Sequence, residues 1–110
     1  MKTILRSALS LYFVSAMMLL SAAVQSPATA QEQETARGQQ LFMNNCTRCH
    51  GKHGDKGLLG AKDLTRSSLS PDAAKKIILE GKGFMPSWKK RLTVSEVDLV
   101  IRYILTLRQG

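Results

Sequence analysis

The run Cys46-Thr47-Arg48-Cys49-His50 sets the strongest limit on the architecture open to this chain. Two thiols separated by two residues and followed at once by an imidazole match the attachment pattern of a c-type haem. Each thiol can add to one vinyl group of a porphyrin, and the next residue then offers a neutral ring nitrogen to the iron. A chain carrying such a segment has to wrap a flat apolar disc. Three other chemistries use similar residues. A zinc knuckle needs four ligands, and beyond Cys46, Cys49 and His50 only His53 stands nearby. A thioredoxin-like dithiol wants a strand running into the cysteine pair, whereas here the residues before it read as helix and those after it as glycine-rich loop. A short disulfide leaves His50 without a purpose.

Residues 1 to 30 have the layout of a secretory signal. Lys2 and Arg6 form a short basic start, an apolar run extends from Ala8 to about Val24, and Ala28-Thr29-Ala30 supplies a small-x-small pattern. Cleavage is expected near Ala30-Gln31, which leaves residues 31 to 110 as one domain in the periplasm. The rival is an uncleaved anchor, since a spanning helix needs roughly 20 apolar residues. Ser15 and Ser21 inside the run, and the small residues after it, favour cleavage, so no stable membrane anchor is expected. No cysteine follows the run before Cys46, which argues against a lipid anchor.

The 80 residues from Gln31 onward are few for one hydrophobic core. A core of that size supplies only about 3–5 kcal/mol, so a staple is required, and a covalently held haem would provide one. The three Phe, two Tyr and one Trp of the chain fit a domain whose largest apolar group is not an amino acid. Without Lys2 and Arg6, fourteen basic residues face eight acidic ones, a formal charge of +6. Export speaks against nucleic acid as a partner. An acidic docking face on a protein, or an anionic membrane surface, fits a basic carrier, because opposite charge speeds encounter. Excess lysine also serves simply to keep a small monomer soluble.

The pattern along the chain is helical, with no convincing strand. Gln31 to Glu34 reads as a polar entry, and Thr35 as the N-cap of a helix through about Asn44. Gly38 costs that helix roughly 1 kcal/mol relative to Ala, which is best explained if another helix crosses close against it. Gly51 to Gly60 reads as irregular loop. Ser70 then caps a second helix with Pro71 at its first position, and Gly81 stops it after Glu80. Thr93 and Glu96 form a capping box for the longest helix, ending near Arg108, whose Val97, Val100, Ile101, Ile104 and Leu107 share one face.

If His50 holds one face of the iron, Met43, His53 and Met85 are the candidates for the other. Met43 and His53 are tied to the side already occupied, while Met85 is far enough along the chain to approach from the opposite face. Pro86 restricts its backbone. A thioether opposite an imidazole favours ferrous iron and closes it to small molecules, which suits electron transfer more than catalysis. Core filling is the commonest use of methionine, but a position between Phe84 and Pro86 in a loop favours ligation. His53 is expected to be exposed and without a role. Trp88 either donates its indole N–H to a haem propionate or covers the ring edge. Lys89-Lys90-Arg91 is a solvated turn or part of a docking rim.

Together these motifs give the chain a resemblance to the class I c-type monohaem cytochromes, over nearly all of residues 35 to 108. It rests on Cys46-Thr47-Arg48-Cys49-His50, on Met85-Pro86, and on Gly38 with Phe42 in the first helix against Tyr103 in the last. The likeness implies an all-α single domain of three to four short helices wrapped around one covalently bound haem c. It also implies that the first and last helices cross at the glycine and the aromatic pair, and that Leu64 packs on the haem. In that family a Gly-Pro carbonyl after the attachment motif accepts the axial histidine's other N–H. Here the loop reads Lys56-Gly57-Leu58, and a backbone carbonyl near Gly57 or Leu58 is the expected substitute. The function implied is a periplasmic single-electron carrier, not an enzyme, passing electrons between a respiratory donor and a terminal reductase or oxidase. An electron-relay subunit of a larger oxidoreductase, and a sensor or enzyme with an open iron, are the alternatives.

Overall fold

Burial follows the helical spacing of the last apolar run, with Val97 and Val100 fully buried and Ile101 and Ile104 nearly so. That face has to be covered, and the helix covering it comes from the other end of the domain. The computed structural model describes residues 27–109. Lys2, Arg6 and the apolar run Ala8–Val24 lie outside the described residues, so the signal reading of that run does too. The elements in order are α1 (Ala30–Asn45), α2 (Thr47–His50), 3-10 turns at Leu58–Gly60 and Leu64–Arg66, α3 (Pro71–Glu80) and α4 (Val94–Leu107). The described residues hold no strand, only one isolated bridge between Lys82 and Met85. The chain is all-α.

α1 and α4 cross at Gly38. A Cβ on Gly38 would collide with the Leu99 carbonyl oxygen, come within 2.8 Å of the Leu99 carbonyl carbon and press on Tyr103 Cβ at 3.3 Å. The helix therefore accepts the entropic penalty of glycine in return for backbone contact with its partner. One turn on, the Phe42 and Tyr103 rings meet with centroids 5.3 Å apart and planes inclined by 57°. That tilted geometry brings a positive ring edge toward a negative face and adds about 0.5–1.5 kcal/mol to the area buried. Arg102–Glu34 at 3.0 Å and Arg37–Glu96 at 3.8 Å straddle the same seam. Arg102–Glu34 is solvent-exposed and Arg37–Glu96 is long with an exposed arginine, so both contribute little.

The core has two lobes. Phe42, Val100, Tyr103 and Ile104 form one, with Cys46 and Leu64 packed at its margin. Ile78, Leu92, Val97 and Ile101 form the other, with Met85 and Trp88 at its margin. Leu41 packs against both. α3 reaches the second lobe through Ile78, and the Lys75–Asp98 ion pair at 2.5 Å ties it to α4.

Most expected boundaries hold. Ser70 Oγ accepts from Ala73 N at 3.2 Å, Pro71 opens α3, and Gly81 ends it at φ 79°. Thr93 and Glu96 form both halves of their box before α4. The start of α1 differs from the expectation. Gln31 to Glu34 is helical, and the N-cap is Thr29, whose backbone N–H donates to Glu32 Oε2 at 2.7 Å while its hydroxyl accepts from Glu32 N at 3.3 Å. Thr29 has a Glu three residues on to close the reciprocal pair, whereas Thr35 has Gly38 there. Thr35 Oγ1 instead donates back to Gln31 O at 2.9 Å, as a threonine inside a helix does.

Candidate functional site

Cys46 C-caps α1, donating its N–H to Phe42 O at 2.8 Å, and α2 then carries Cys49 and His50 on a single helical turn. Both cysteines are free and half-buried. Burial first, and the neighbouring Cys49 second, push the Cys46 thiol up to about 12. As a free group it is therefore a protonated thiol at neutral pH rather than a reactive thiolate. Among the described residues no group of three or more His, Cys, Asp or Glu side chains is arranged to hold a metal ion.

His50 turns its Nδ1 to the Lys62 carbonyl oxygen at 3.1 Å. A carbonyl can only accept, so the bond requires the proton on Nδ1, and in the neutral ring Nε2 then keeps its lone pair. The acceptor is thus Lys62 and not a carbonyl near Gly57 or Leu58. The groups of that loop are used among themselves: Lys56 N donates to His50 O at 2.8 Å, Gly54 N to Gly51 O at 3.1 Å and Ala61 N to Leu58 O at 3.0 Å. Leu59 and Gly60, at φ 54° and 77°, turn the chain back so that Lys62 returns beside the imidazole. Neither the turn at Leu59 nor the Lys62 contact carries a sequence pattern, because glycine would be the ordinary choice at such a φ. Asp63-Leu64-Thr65 does carry one, that of an Asp capping a short turn, and reading it would have fixed the local path of this segment.

Met85 lies in the opposite lobe of the core. Lys82 N donates to Met85 O and Met85 N to Lys82 O, both at 3.0 Å, which closes a tight turn around Gly83. The strand of chain after it is fastened to the C-terminus of α3. Ser87 Oγ donates to Leu79 O at 2.5 Å and Trp88 N to Ile78 O at 3.0 Å, so the Met85 loop satisfies carbonyls that the helix end leaves open. A Cβ on Gly81 would stand 2.8 Å from Met85 O and 2.9 Å from Ser87 N. Gly81 is therefore both the helix stop and the floor on which the Met85 loop rests, a second duty that its C-cap signature does not disclose.

Trp88 is half-buried against the second lobe, with the Arg91 guanidinium 5.4 Å from its ring centroid. His53, Lys89, Lys90 and Arg91 are exposed. Leu64 is half-buried at the margin of the first lobe. The donor set fits a haem c: two thiols within one helical turn, an imidazole held as the tautomer that frees Nε2, and a thioether on a fastened loop. Large apolar side chains also stand exposed on both loop systems, Leu58, Leu59 and Leu69 on the one and Phe84 on the other, a surface of the kind that a flat apolar group covers.

Comparison with known proteins agrees with that fit. The family described as cytochrome c oxidase, cbb3-type, subunit III matches residues 33–104. Cytochrome c6 of Gloeothece citriformis is 33% identical over 99 residues, 84% of this chain and 86% of that protein. Cytochrome c6 of Leptolyngbya boryana is 33% identical over 78 residues, 66% of this chain and 91% of its own length. The cbb3-type cytochrome c oxidase subunit FixP of Bradyrhizobium diazoefficiens is 35% identical over 89 residues, which are 74% of this chain but 30% of that subunit. An all-α fold, a haem-attachment pentapeptide and relatives of matching length converge on one conclusion: the chain belongs to the class I c-type cytochromes and carries one covalently bound haem c.

Proposed function

We propose that this cytochrome is a periplasmic single-electron carrier, with Cys46 and Cys49 as the thioether links and His50 and Met85 as the two iron ligands. The haem supplies an iron that gains and loses one electron. The observation that carries the ligand assignment is the His50 Nδ1–Lys62 O hydrogen bond, because it supports the only tautomer in which Nε2 is a donor to metal. Met85 joins it through a loop whose backbone is closed on itself and fastened to α3. Ligands held by fixed backbone on both sides have little to rearrange when the charge changes, which suits electron transfer.

The reading extends to processing and partners. Residues 1–30 act as a cleaved signal, residues 31–110 as a monomeric domain without a membrane anchor, and the described residues contain no helix long and apolar enough to cross a membrane. Electrons pass from a respiratory donor to a terminal reductase or oxidase, each a protein with an acidic docking face opposite the basic surface of the carrier. Nucleic acid is not a partner. Met85→Ala tests the ligand set: the oxidised wild type is expected to show a weak sulfur-to-iron band that the variant lacks. A band that survives in Met85→Ala removes Met85 from the iron.

The match to an oxidase subunit favours a second reading, in which the chain is an electron relay docked permanently to a larger oxidoreductase. A relay purifies from its source membrane or periplasm with that enzyme at fixed stoichiometry. A free carrier purifies alone.

A further inference from the structure

The peptide joining Lys62 to Asp63 lies between two hydrogen-bonded systems. On one side its carbonyl accepts from His50 Nδ1 at 3.1 Å. On the other, Asp63 caps the turn Leu64–Arg66, its Oδ1 accepting from Thr65 N at 2.9 Å and from Thr65 Oγ1 at 2.5 Å. The turn itself is anchored, because Leu64 N donates to Gly54 O at 2.8 Å and the Leu64 side chain packs against the Phe42 lobe. Lys62, by contrast, is exposed.

Because the peptide is planar, the direction of the Lys62 carbonyl relative to Asp63 is set by the Asp63 φ. Asp63 at φ −67° and ψ 110° has the extended conformation that an N-cap requires, and that conformation directs the preceding carbonyl. We propose that Asp63 is a positioning residue for electron transfer: by capping Thr65 it aims the Lys62 carbonyl at His50 and so sets the basicity of the His50 imidazole and, through it, the potential of the haem it would hold. The proposal rests on His50 being an iron ligand. A carbonyl that accepts the Nδ1 proton makes the imidazole a stronger donor, which favours the oxidised iron and lowers the potential. Loosening Asp63 therefore raises it.

The test separates aim from charge. Asp63→Asn and Asp63→Ala lose the same negative charge, but asparagine keeps an oxygen that can cap and alanine does not. The midpoint potential of the holoprotein is expected to rise from wild type to Asp63→Asn to Asp63→Ala. The first step should shrink with added salt and the second should not. By NMR of the reduced holoprotein, the His50 Nδ1–H should exchange about two- to tenfold faster in Asp63→Ala than in Asp63→Asn, the range for loss of one ordinary hydrogen bond. Thr65→Val, which alters no charge, should give a smaller upward shift and serves if Asp63→Ala does not mature. Equal potentials and equal exchange in Asp63→Asn and Asp63→Ala, or an unshifted Thr65→Val, overturn the role of Asp63. A wild-type spectrum without histidine on the iron overturns instead the ligand assignment on which it rests.

Discussion

The α1–α4 crossing and the two loop systems that bear His50 and Met85 are held together by different forces. The crossing is buried side chain against buried side chain, with Phe42, Val97 and Val100 wholly out of water. The segments that bear His50 and Met85 are held by directed hydrogen bonds to their neighbours, while Lys62, Gly83, Phe84 and Pro86 remain exposed. Packing energy sums over buried area, whereas a loop fastened by four or five directed bonds gives each of them a local duty. Substitutions at the crossing should therefore change global stability, and substitutions in the loops should change the site.

Phe42→Ala probes the crossing most severely. It removes a fully buried ring that faces both Tyr103 and the body of α4, and a loss of about 3–5 kcal/mol is expected. Urea unfolding of the holoprotein, followed by far-ultraviolet circular dichroism, measures it. A loss below about 1 kcal/mol would mean that the lobe is not the centre of the fold.

Gly81→Ala strikes the other region. At φ 79° and ψ 163° only glycine is at ease, and the strain alone is worth about 1–3 kcal/mol. The added methyl also meets Met85 O and Ser87 N, so relief comes from lifting the Met85 loop off the end of α3. The expected signature is a sulfur-to-iron band weakened by more than the stability loss explains. An unchanged band at reduced stability would mean that the loop tolerates the shift.

These two regions also differed in how far the sequence disclosed them. Ser70-Pro71 and Thr93-Glu96 are local chemistry, in which a side chain satisfies backbone donors within one turn, and Gly81 is a local stop, so both ends of α3 and the start of α4 are legible to the residue. Gly38 was legible for the opposite reason, since an expensive residue inside a helix demands a close neighbour. Cys46, Cys49, His50 and Met85 stood out by residue type and spacing. The acceptor for His50 did not, because it depends on how eleven intervening residues turn back, and a non-glycine residue at positive φ leaves no mark in the sequence. The start of α1 is legible in Thr29 and not in Thr35, because only Thr29 has the glutamate three residues on that completes a box.

Thr93→Ala asks how much a single cap contributes at the edge of the crossing, and about 1 kcal/mol is expected. The acid limb of stability gives an independent reading. The Thr93 backbone N–H first, its hydroxyl next, and the Arg37 charge last hold the Glu96 carboxyl below the ordinary carboxylate range. A depressed folded value means stability present above the unfolded value of 4.5 and lost as pH falls through the folded one. Wild type should therefore lose stability in that window. In Thr93→Ala the loss should be shallower but not absent, since the backbone N–H remains.

The same box occurs at Thr29, and the smallest effect is expected there. In α4 the first fully buried residue, Val97, follows its cap by four positions, so fraying at Thr93 would pull apart packed core. In α1 the residues from Ala30 to Arg37 are exposed apart from the half-buried Thr35, and packing begins only at Gly38. Opening the first turn there releases nothing of the core, so Thr29→Ala in the uncleaved chain should cost less than about 0.5 kcal/mol. If export removes residues 1–30, the mature protein has no Thr29, and its unfolding midpoint should match that of the uncleaved Thr29→Ala protein within the same margin. A loss at Thr29 as large as that at Thr93 would show that the outer turns of α1 have a packed partner, and the division between a side-chain-packed crossing and hydrogen-bonded periphery would have to be redrawn at that end of the domain.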